Sequence, residues 1–479
     1  MSKNNNFYIT TSIAYANAKP HIGFALECLQ ADALARYNRL KEKDVFFLTG
    51  TDEHGQKIAN TAKKEGREPK DFTDEVSQSF RTLNKVLNIS NNYFIRTTNK
   101  EKHIPAVKKA WKKLKEKGDI YKKEYEGFYC EGCEAFLTKK ELEDEKCPHH
   151  QKKPKKVEEE NYFFKLSKYE KAIKKAIKKE EINIIPKTKK KEMLKIIEEG
   201  LEDVSFSRPT EKVDWGIKVP EDETQTIYCW ADALLNYISG IGYYNDPDKF
   251  KKFWPADVHC IGKDIQKFHS LIWPGMLLSL GLDLPKNIYV HGFITVEGKK
   301  MSKSIGNVID PFELIKEYGT EAVRYFFLSE IPPTKDGDFS YEKFKKRYNS
   351  DLANGIGNLV SRVLTLAKKY KIEEEEDLNN KEIKEKIKVT RKEYKSLMEE
   401  FKLNRAINKV WELIRFSDCY IESKKPWEKN KGYQNVLSDL LKTIREVAQL
   451  IKPFLPETAH KIEKQLRTKE KETLFPRRD

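Results

Sequence analysis

Most of what restricts this chain's fold lies in a rhythm that occurs twice. Phe7-Tyr8-Ile9-Thr10-Thr11 is an apolar, β-branched run that breaks at Asn17-Ala18-Lys19-Pro20. From His21 to about Leu40 the apolar residues Ile22, Ala25, Leu26, Leu29, Ala33 and Tyr37 recur at helical spacing, with Pro20 just ahead of the start. A second strand, Val45-Phe46-Phe47-Leu48-Thr49, then runs into Gly50-Thr51-Asp52-Glu53-His54-Gly55. The rhythm returns far downstream as Val258 to Gly262, a predicted helix from about Ile265 to Leu280, and a strand from Ile288 to His291. Strand, helix, strand at this spacing predicts a doubly wound parallel sheet, whose ligands bind at the carboxyl ends of the strands.

Between the halves, about residues 117–226 carry a cysteine cluster and a Lys-rich run through Lys191, which reads as an insertion in a split nucleotide-binding fold. After about Pro332 the helical period dominates. Leu352, Ile356, Leu359, Val363 and Ala367 share one helix face, and Leu437, Leu440, Ile444, Val447 and Ile451 share another. The tail is therefore expected to be a helical bundle, interrupted by an acidic loop at residues 373–377.

Composition narrows the class of protein. With 91 Lys+Arg against 75 Asp+Glu the net charge is +16, which suits a polyanionic partner, although Lys is abundant throughout and charge alone does not decide the matter. No apolar run reaches the roughly 18 residues that cross a bilayer, and the opening residues lack a secretory pattern. Four of the seven cysteines are scattered, at 28, 229, 260 and 419, in apolar stretches that predict buried thiols. A reducing, cytoplasmic setting is expected rather than a membrane or secreted one.

Three constellations carry chemistry. His21-Ile22-Gly23-Phe24 stands where a strand gives way to a helix, where backbone amides and the helix dipole favour an anion. Lys300-Met301-Ser302-Lys303-Ser304 follows the last strand, and two lysines three apart on a loop can close over a polyphosphate. Cys130-x2-Cys133, thirteen residues, then Cys147-x2-His150 offers three thiolates and an imidazole in two knuckles, which suits a tetrahedral structural zinc with His149 as the adjacent competitor. In the tail, Asn358 and Arg362 project from one helix face, and Pro426-Trp427 offers an aromatic plane at a helix boundary; taken alone these read as surface polar residues and a core Trp, and an unpaired RNA base that stacks is the other reading.

These signatures resemble the methionyl-tRNA synthetases, class I aminoacyl-tRNA synthetases, over almost the whole length. The two short motifs are similar to that family's HIGH-type and KMSKS elements. Residues 48–55, Tyr228-Cys229-Trp230-Ala231-Asp232-Ala233 and Ile261-Gly262-Lys263-Asp264-Ile265 resemble the methionine branch in particular. One departure stands out: the family usually ends its first signature with a second His, and this chain has Phe24. A donor used mainly in a transition state is worth roughly 2.7–4 kcal/mol. A catalytically impaired relative that only binds tRNA is therefore the alternative reading. A synthetase for leucine or valine is a third, disfavoured by the short insertion.

The resemblance implies a Rossmann-type catalytic domain in two parts (1–116 and 227–322), a zinc-bearing connective insertion (117–226), a stem-contact linker (323–353) and an all-α anticodon-binding domain (354–479). It implies activation of L-methionine by ATP with Mg2+, then transfer to initiator and elongator tRNA(Met). His21, Lys300 and Lys303 would be catalytic, and His21, Gly23, Asp264 and Lys303 would hold ATP. Asp52 would take the ammonium group, while Ile13, Tyr15, Trp230, Ala233, Leu234, Tyr237, Ile265 and His269 would line the side-chain pocket, with Tyr15 or His269 near the sulfur. One zinc would be held by Cys130, Cys133, Cys147 and, favoured by the resemblance, His150; Asn358, Arg362 and Trp427 would read the anticodon. A chain ending at Asp479 lacks the dimerisation module some relatives append, so a monomer is expected.

Overall fold

The computed structural model describes residues 5–130, 135–137, 142–148, 151–301, 306–375 and 377–478. The chain divides into two compact units. The first comprises Met1–Pro20, Lys43–Lys85 and Ser90–His291; the second comprises His21–Glu42, Val86–Ile89 and Gly292–Asp479.

At the centre of the first unit, among the described residues, is a six-stranded sheet. Its order is Tyr93–Arg96, Asp44–Asp52, Asn6–Tyr15, Val258–Gly262, Asn287–His291 and Asn183–Ile185. Every pairing is parallel. Parallel strands covered on both faces should be apolar along their length, and Asp44–Asp52 is buried from Val45 onward. The strand order reverses direction between Asn6–Tyr15 and Val258–Gly262, which is the topological switch point where such sheets bind ligands.

The first strand runs on past Thr11 to Tyr15, with an irregularity in pairing between Thr10 and Ile13. The helix expected from Ile265 is broken into a 3-10 turn Lys263–Ile265, a wider π turn Phe268–Ile272 and an α-helix Trp273–Leu280. Pro274 gives a reason: it has no N–H to donate and its ring crowds the preceding turn, which a π turn relieves. Residues 117–226 also contain antiparallel sheets, one ordered Ala135–Leu137, Ile120–Cys130, Lys155–Phe164 and Val204–Ser205, and the other Lys218–Val219, Asp222–Ile227 and Ser207–Pro209.

The second unit holds the helix Ile22–Leu40 and the helical tail, including Thr320–Ser329, Asn358–Tyr370, Lys381–Glu399, Leu403–Lys424, Tyr433–Ile451 and Pro456–Thr468. The periodic residues Leu352, Ile356, Leu359, Val363 and Ala367 are all buried, as are Leu437, Leu440, Ile444, Val447 and Ile451. Arg324 is wholly buried here. Its guanidinium donates to Asp32 at 2.6 Å and to the carbonyls of Phe454 at 2.7 Å and Leu87 at 2.9 Å. A buried cation with every direction answered ties helix Ile22–Leu40 to the end of the tail. Cys28, Cys229 and Cys260 are buried as expected, but Cys419 is exposed. The helical period turns Ser417, Tyr420 and Ile421 inward and leaves residue 419 on the outer face.

Candidate active site

In the first unit Ile13, Tyr15, Asp52 and Ile265 stand at or near the carboxyl ends of the central strands, while Trp230 and Tyr237 both contact His269. Tyr15 pairs in register with Asp52, and Ile13 with Gly50, so the two strands end together. Asp52 is buried at the carboxyl end of its strand. Trp230 and Ala233 stand on the short helix Cys229–Ala233, Leu234 follows it, and Tyr237 stands on Asn236–Ser239. Ala233, Leu234 and Tyr237 are buried. Ile13, Trp230 and Ile265 are partly buried against one apolar core.

Hydrogen bonds fix the protonation of that wall. Tyr237 Oη lies 2.6 Å from His269 Nε2, and His269 Nδ1 lies 3.0 Å from the Ile265 carbonyl. A carbonyl only accepts, so Nδ1 carries the proton and Nε2 accepts from the phenol. Burial pushes His269 down to about 4, which leaves it neutral at pH 7. Behind it, Trp273 Nε1 donates to His259 Nε2 at 3.3 Å, so His259 Nδ1 carries the proton toward Thr10 Oγ1 at 2.8 Å. Burial holds His259 well below the ordinary histidine range too. The phenol and both imidazoles are thus uncharged, with their polar atoms answered by one another and by neighbouring groups.

Asp264 is exposed in the turn directly after Val258–Gly262, at the carboxyl edge of the sheet where a ribose hydroxyl could reach a carboxylate. In the second unit, His21 caps the helix Ile22–Leu40. Its Nδ1 accepts from the Gly23 amide at 3.0 Å, so a neutral ring carries its proton on Nε2, a donor suited to a phosphate oxygen. Lys300 is exposed on the hairpin formed by Ile294–Val296 and Lys299–Lys300. The hairpin turns through Glu297 and Gly298, both at positive φ, as a two-residue connection requires. Asp338 braces this turn, accepting from the Gly298 amide and Thr295 Oγ1 at 2.7 Å each. Lys303, Ser302 and Ser304 lie outside the described residues.

Of the expected zinc ligands, Cys133 and His150, with its competitor His149, lie outside the described residues. Cys130 and Cys147 are buried and share one small cluster with Leu137. Cys147 follows a tight turn in which Glu143 and Lys146 pair and Asp144 and Glu145 are at positive φ. Among the described residues no group of three or more His, Cys, Asp or Glu forms a metal site. Of the four expected ligands, the two that are described therefore share one buried cluster.

In the helical tail the Arg362 guanidinium lies over the Trp427 ring, 4.6 Å from its centroid, and pairs with Glu422 at 2.5 Å. Asn358 is exposed one turn before Arg362 on the same helix.

Sequence reasoning missed several residues. Phe268 stacks on Trp230 with centroids 3.9 Å apart and planes 10° from parallel. Asp232 accepts from His54 Nδ1 and from His103 Nε2, both at 2.6 Å. Glu53 is clamped by Arg96 at 2.6 and 2.8 Å and accepts from Thr51 at 2.7 Å. The signal for Phe268 and Asp232 was their position beside motif residues; nothing in the sequence pointed to His103 or Arg96, which arrive from another segment.

Comparison with known proteins agrees with this reading of the chain. A family model described as tRNA synthetases class I (M) matches residues 7–154 and 138–364, and one described as the anticodon-binding domain of tRNA ligase matches residues 380–477. The methionine–tRNA ligase of Thermotoga maritima is 44% identical over 97% of this chain and 76% of its own length. That of Rhizobium meliloti is 41% identical over 95% of this chain and 90% of its own. Among solved structures, Mycobacterium tuberculosis methionyl-tRNA synthetase in complex with methionyl-adenylate superposes with a TM-score of 0.93 at 34% identity, covering 98% of this chain and 100% of that one. The apo form of the same enzyme gives 0.84 at 31% identity, covering 99% and 98%. On identity, family model and fold alike, the chain belongs to the methionyl-tRNA synthetases, a branch of the class I tRNA synthetases.

Proposed function

We propose that this chain activates L-methionine with ATP and transfers it to the 3′-terminal adenosine of initiator and elongator tRNA(Met). One methionine carboxylate oxygen attacks the α-phosphorus in line, the bond to the β-phosphate oxygen breaks, and methionyl-adenylate and pyrophosphate result. A ribose hydroxyl of the tRNA then attacks the carbonyl carbon, and AMP leaves. No side chain becomes covalently attached, so catalysis is positioning and charge stabilisation.

The observation that carries this reading is the uncharged wall of Trp230, Tyr237 and His269 in the same unit as the buried carboxylate of Asp52. An apolar thioether and an ammonium group need those two surroundings. In this reading Ile13, Tyr15, Ala233, Leu234 and Ile265 complete the side-chain pocket. His21 donates from Nε2 to a phosphate, Lys300 and Lys303 answer the charge of the leaving pyrophosphate, Gly23 admits the adenine and Asp264 holds the ribose. Mg2+ arriving with ATP would neutralise phosphate charge. Cys130 and Cys147, with Cys133 and His150, would hold one structural zinc. Asn358, Arg362 and Trp427 would receive anticodon bases, and the net charge of +16 would serve the tRNA phosphates, so binding should weaken with salt.

The same proposal divides the chain into catalytic halves at 1–116 and 227–322, an insertion at 117–226, a linker at 323–353 and an anticodon-binding domain at 354–479. It also takes the protein to act in the cytoplasm as a monomer, which sedimentation tests directly.

Amino-acid-dependent ATP–pyrophosphate exchange tests the proposal, with methionine, leucine, valine, isoleucine and cysteine offered in turn. Methionine-specific exchange is expected. No exchange with any of them, restored by Phe24→His, would establish the alternative of a tRNA-binding relative silenced at its first signature.

A further inference from the structure

The segments proposed to carry the methionine pocket are far apart in sequence, and one buried polar chain runs through three of them. His54 lies two residues beyond Asp52, and its Nδ1 donates to Asp232 Oδ2 at 2.6 Å. Asp232 lies between Trp230 and Ala233 on the short helix Cys229–Ala233. Its other oxygen, Oδ1, accepts from His103 Nε2, also at 2.6 Å. His103 Nδ1 in turn lies 2.8 Å from Ser239 Oγ, on the helix Asn236–Ser239 that bears Tyr237. His103, Asp232 and Ser239 are 0–1% exposed and His54 is 5% exposed.

We infer that Asp232 is a positioning residue for methionine, a buried staple that fixes the Asp52 end of the site against the segments bearing Trp230, Ala233 and Tyr237. The inference rests on the proposed methionine site and adds to it what sets its length. The ammonium group and the thioether are recognised by different segments, so the spacing between those segments decides which side-chain lengths fit. Glu53, between Asp52 and His54, is held independently by Arg96 at 2.6 and 2.8 Å. The turn after Asp52 is therefore pinned on one side by Glu53 and on the other by His54, and the second pin is the one that leads to the pocket wall. Burial alone would push the Asp232 carboxyl up, but the two imidazoles outweigh it and hold it below the usual carboxylate range. An ionised carboxylate with a short hydrogen bond to each oxygen is stiff, because breaking either leaves buried charge unanswered.

Asp232→Asn preserves shape and removes the charge. Pyrophosphate exchange is then expected to show KM for methionine raised about tenfold, the size of one charge-assisted hydrogen bond. KM for ATP should stay within about twofold, since uniform damage would move both. The preference for methionine over its S-ethyl homologue should also fall. Asp119→Asn is the comparison, because Asp119 is an equally buried carboxylate in the same unit, bonded to Lys168, Tyr169 and Ser279. It should lower thermal stability without splitting the two KM values. If Asp232→Asn behaves in that way, the inference is overturned. Should Asp232→Asn fail to fold, His54→Gln cuts the chain at its first link, and an unchanged KM for methionine there overturns it equally. Asp52→Asn separates the two levels of argument. A raised KM there with none in Asp232→Asn removes the staple alone, whereas no change there removes the proposed site.

Discussion

The Arg362 guanidinium rests on the face of Trp427, 4.6 Å from its centroid, while the same group is paired with Glu422 at 2.5 Å. The stack holds the indole plane in place, and the exposed pair is a weak constraint that a nucleic-acid base could displace. Replacing Trp427 with Ala is therefore expected to lower tRNA aminoacylation by about tenfold or more, the scale of one lost base stack, while pyrophosphate exchange stays near its original rate. Equal loss in both assays would remove Trp427 from the anticodon site.

Asp418, one turn before Glu422, is pushed up to about 6 by burial, only partly offset by Arg362. Its folded value lies above the unfolded one near 3.9, so it favours folding in acid and loses that contribution as pH rises through 6. At pH 7 it is a partly buried carboxylate with one oxygen unsatisfied. Asp418→Asn should therefore stabilise the protein at pH 7 by about 1 kcal/mol, a figure discounted for partial exposure. Urea unfolding at pH 7 and pH 4.5 checks this, since the gain should shrink to about a third at the lower pH and vanish only below the unfolded value near 3.9.

Gly23 has little room for a side chain. A Cβ there would lie 2.8 Å from His21 Cε1 and 3.0 Å from Nδ1, within the cap hydrogen bond itself. Because His21 is exposed, its ring can swing away, so Gly23→Ala should cost little stability. It should instead displace the proposed phosphate donor and raise KM for ATP several-fold, with KM for methionine unchanged. Steady-state exchange kinetics in both substrates would show it.

How much of this was legible in the sequence depended on whether the signal was local. The strand–helix–strand rhythm follows from side-chain period, and the sheet it implied is present with both halves in it. His21 and Lys300 stand at element ends, as their neighbours implied. The His54–Asp232–His103 chain was invisible, because its members come from three segments and each alone reads as an ordinary polar residue. Cys419 was misread for a related reason: its neighbours are apolar, but burial on a helix depends on angle and not on neighbourhood. The wide turn at Phe268–Ile272 was foreshadowed only by Pro274, which does not say which kind of break will form.

The cysteine cluster makes a prediction independent of catalysis. Cys130 and Cys147 are buried together, and buried thiolates are tolerable when a cation answers them. Protein purified without added metal should contain about one zinc per chain. Chelation, or Cys147→Ala, should release it and increase proteolysis within residues 120–164. Metal analysis finding none in freshly purified protein would remove the site.

His269, in the proposed pocket wall, and His259 behind it set an acid limit. His269 is pushed down to about 4 by burial, and burial likewise holds His259 well below its usual range, with His269 adding to the effect. Between about pH 6.5 and 4 the unfolded chain therefore binds protons that the folded chain refuses, so stability is full above 6.5 and falls as the pH drops. His269 alone accounts for up to about 3 kcal/mol of that loss by pH 4. Substituting Gln at 269 keeps a hydrogen-bonding side chain but removes the proton, so its stability should fall less steeply over this window, by about one proton's worth of slope. Urea midpoints at half-unit pH steps measure that slope. An identical slope in the variant would mean that His269 takes up its proton in the folded protein as readily as in the unfolded chain, and that the pocket wall is not neutral below pH 6.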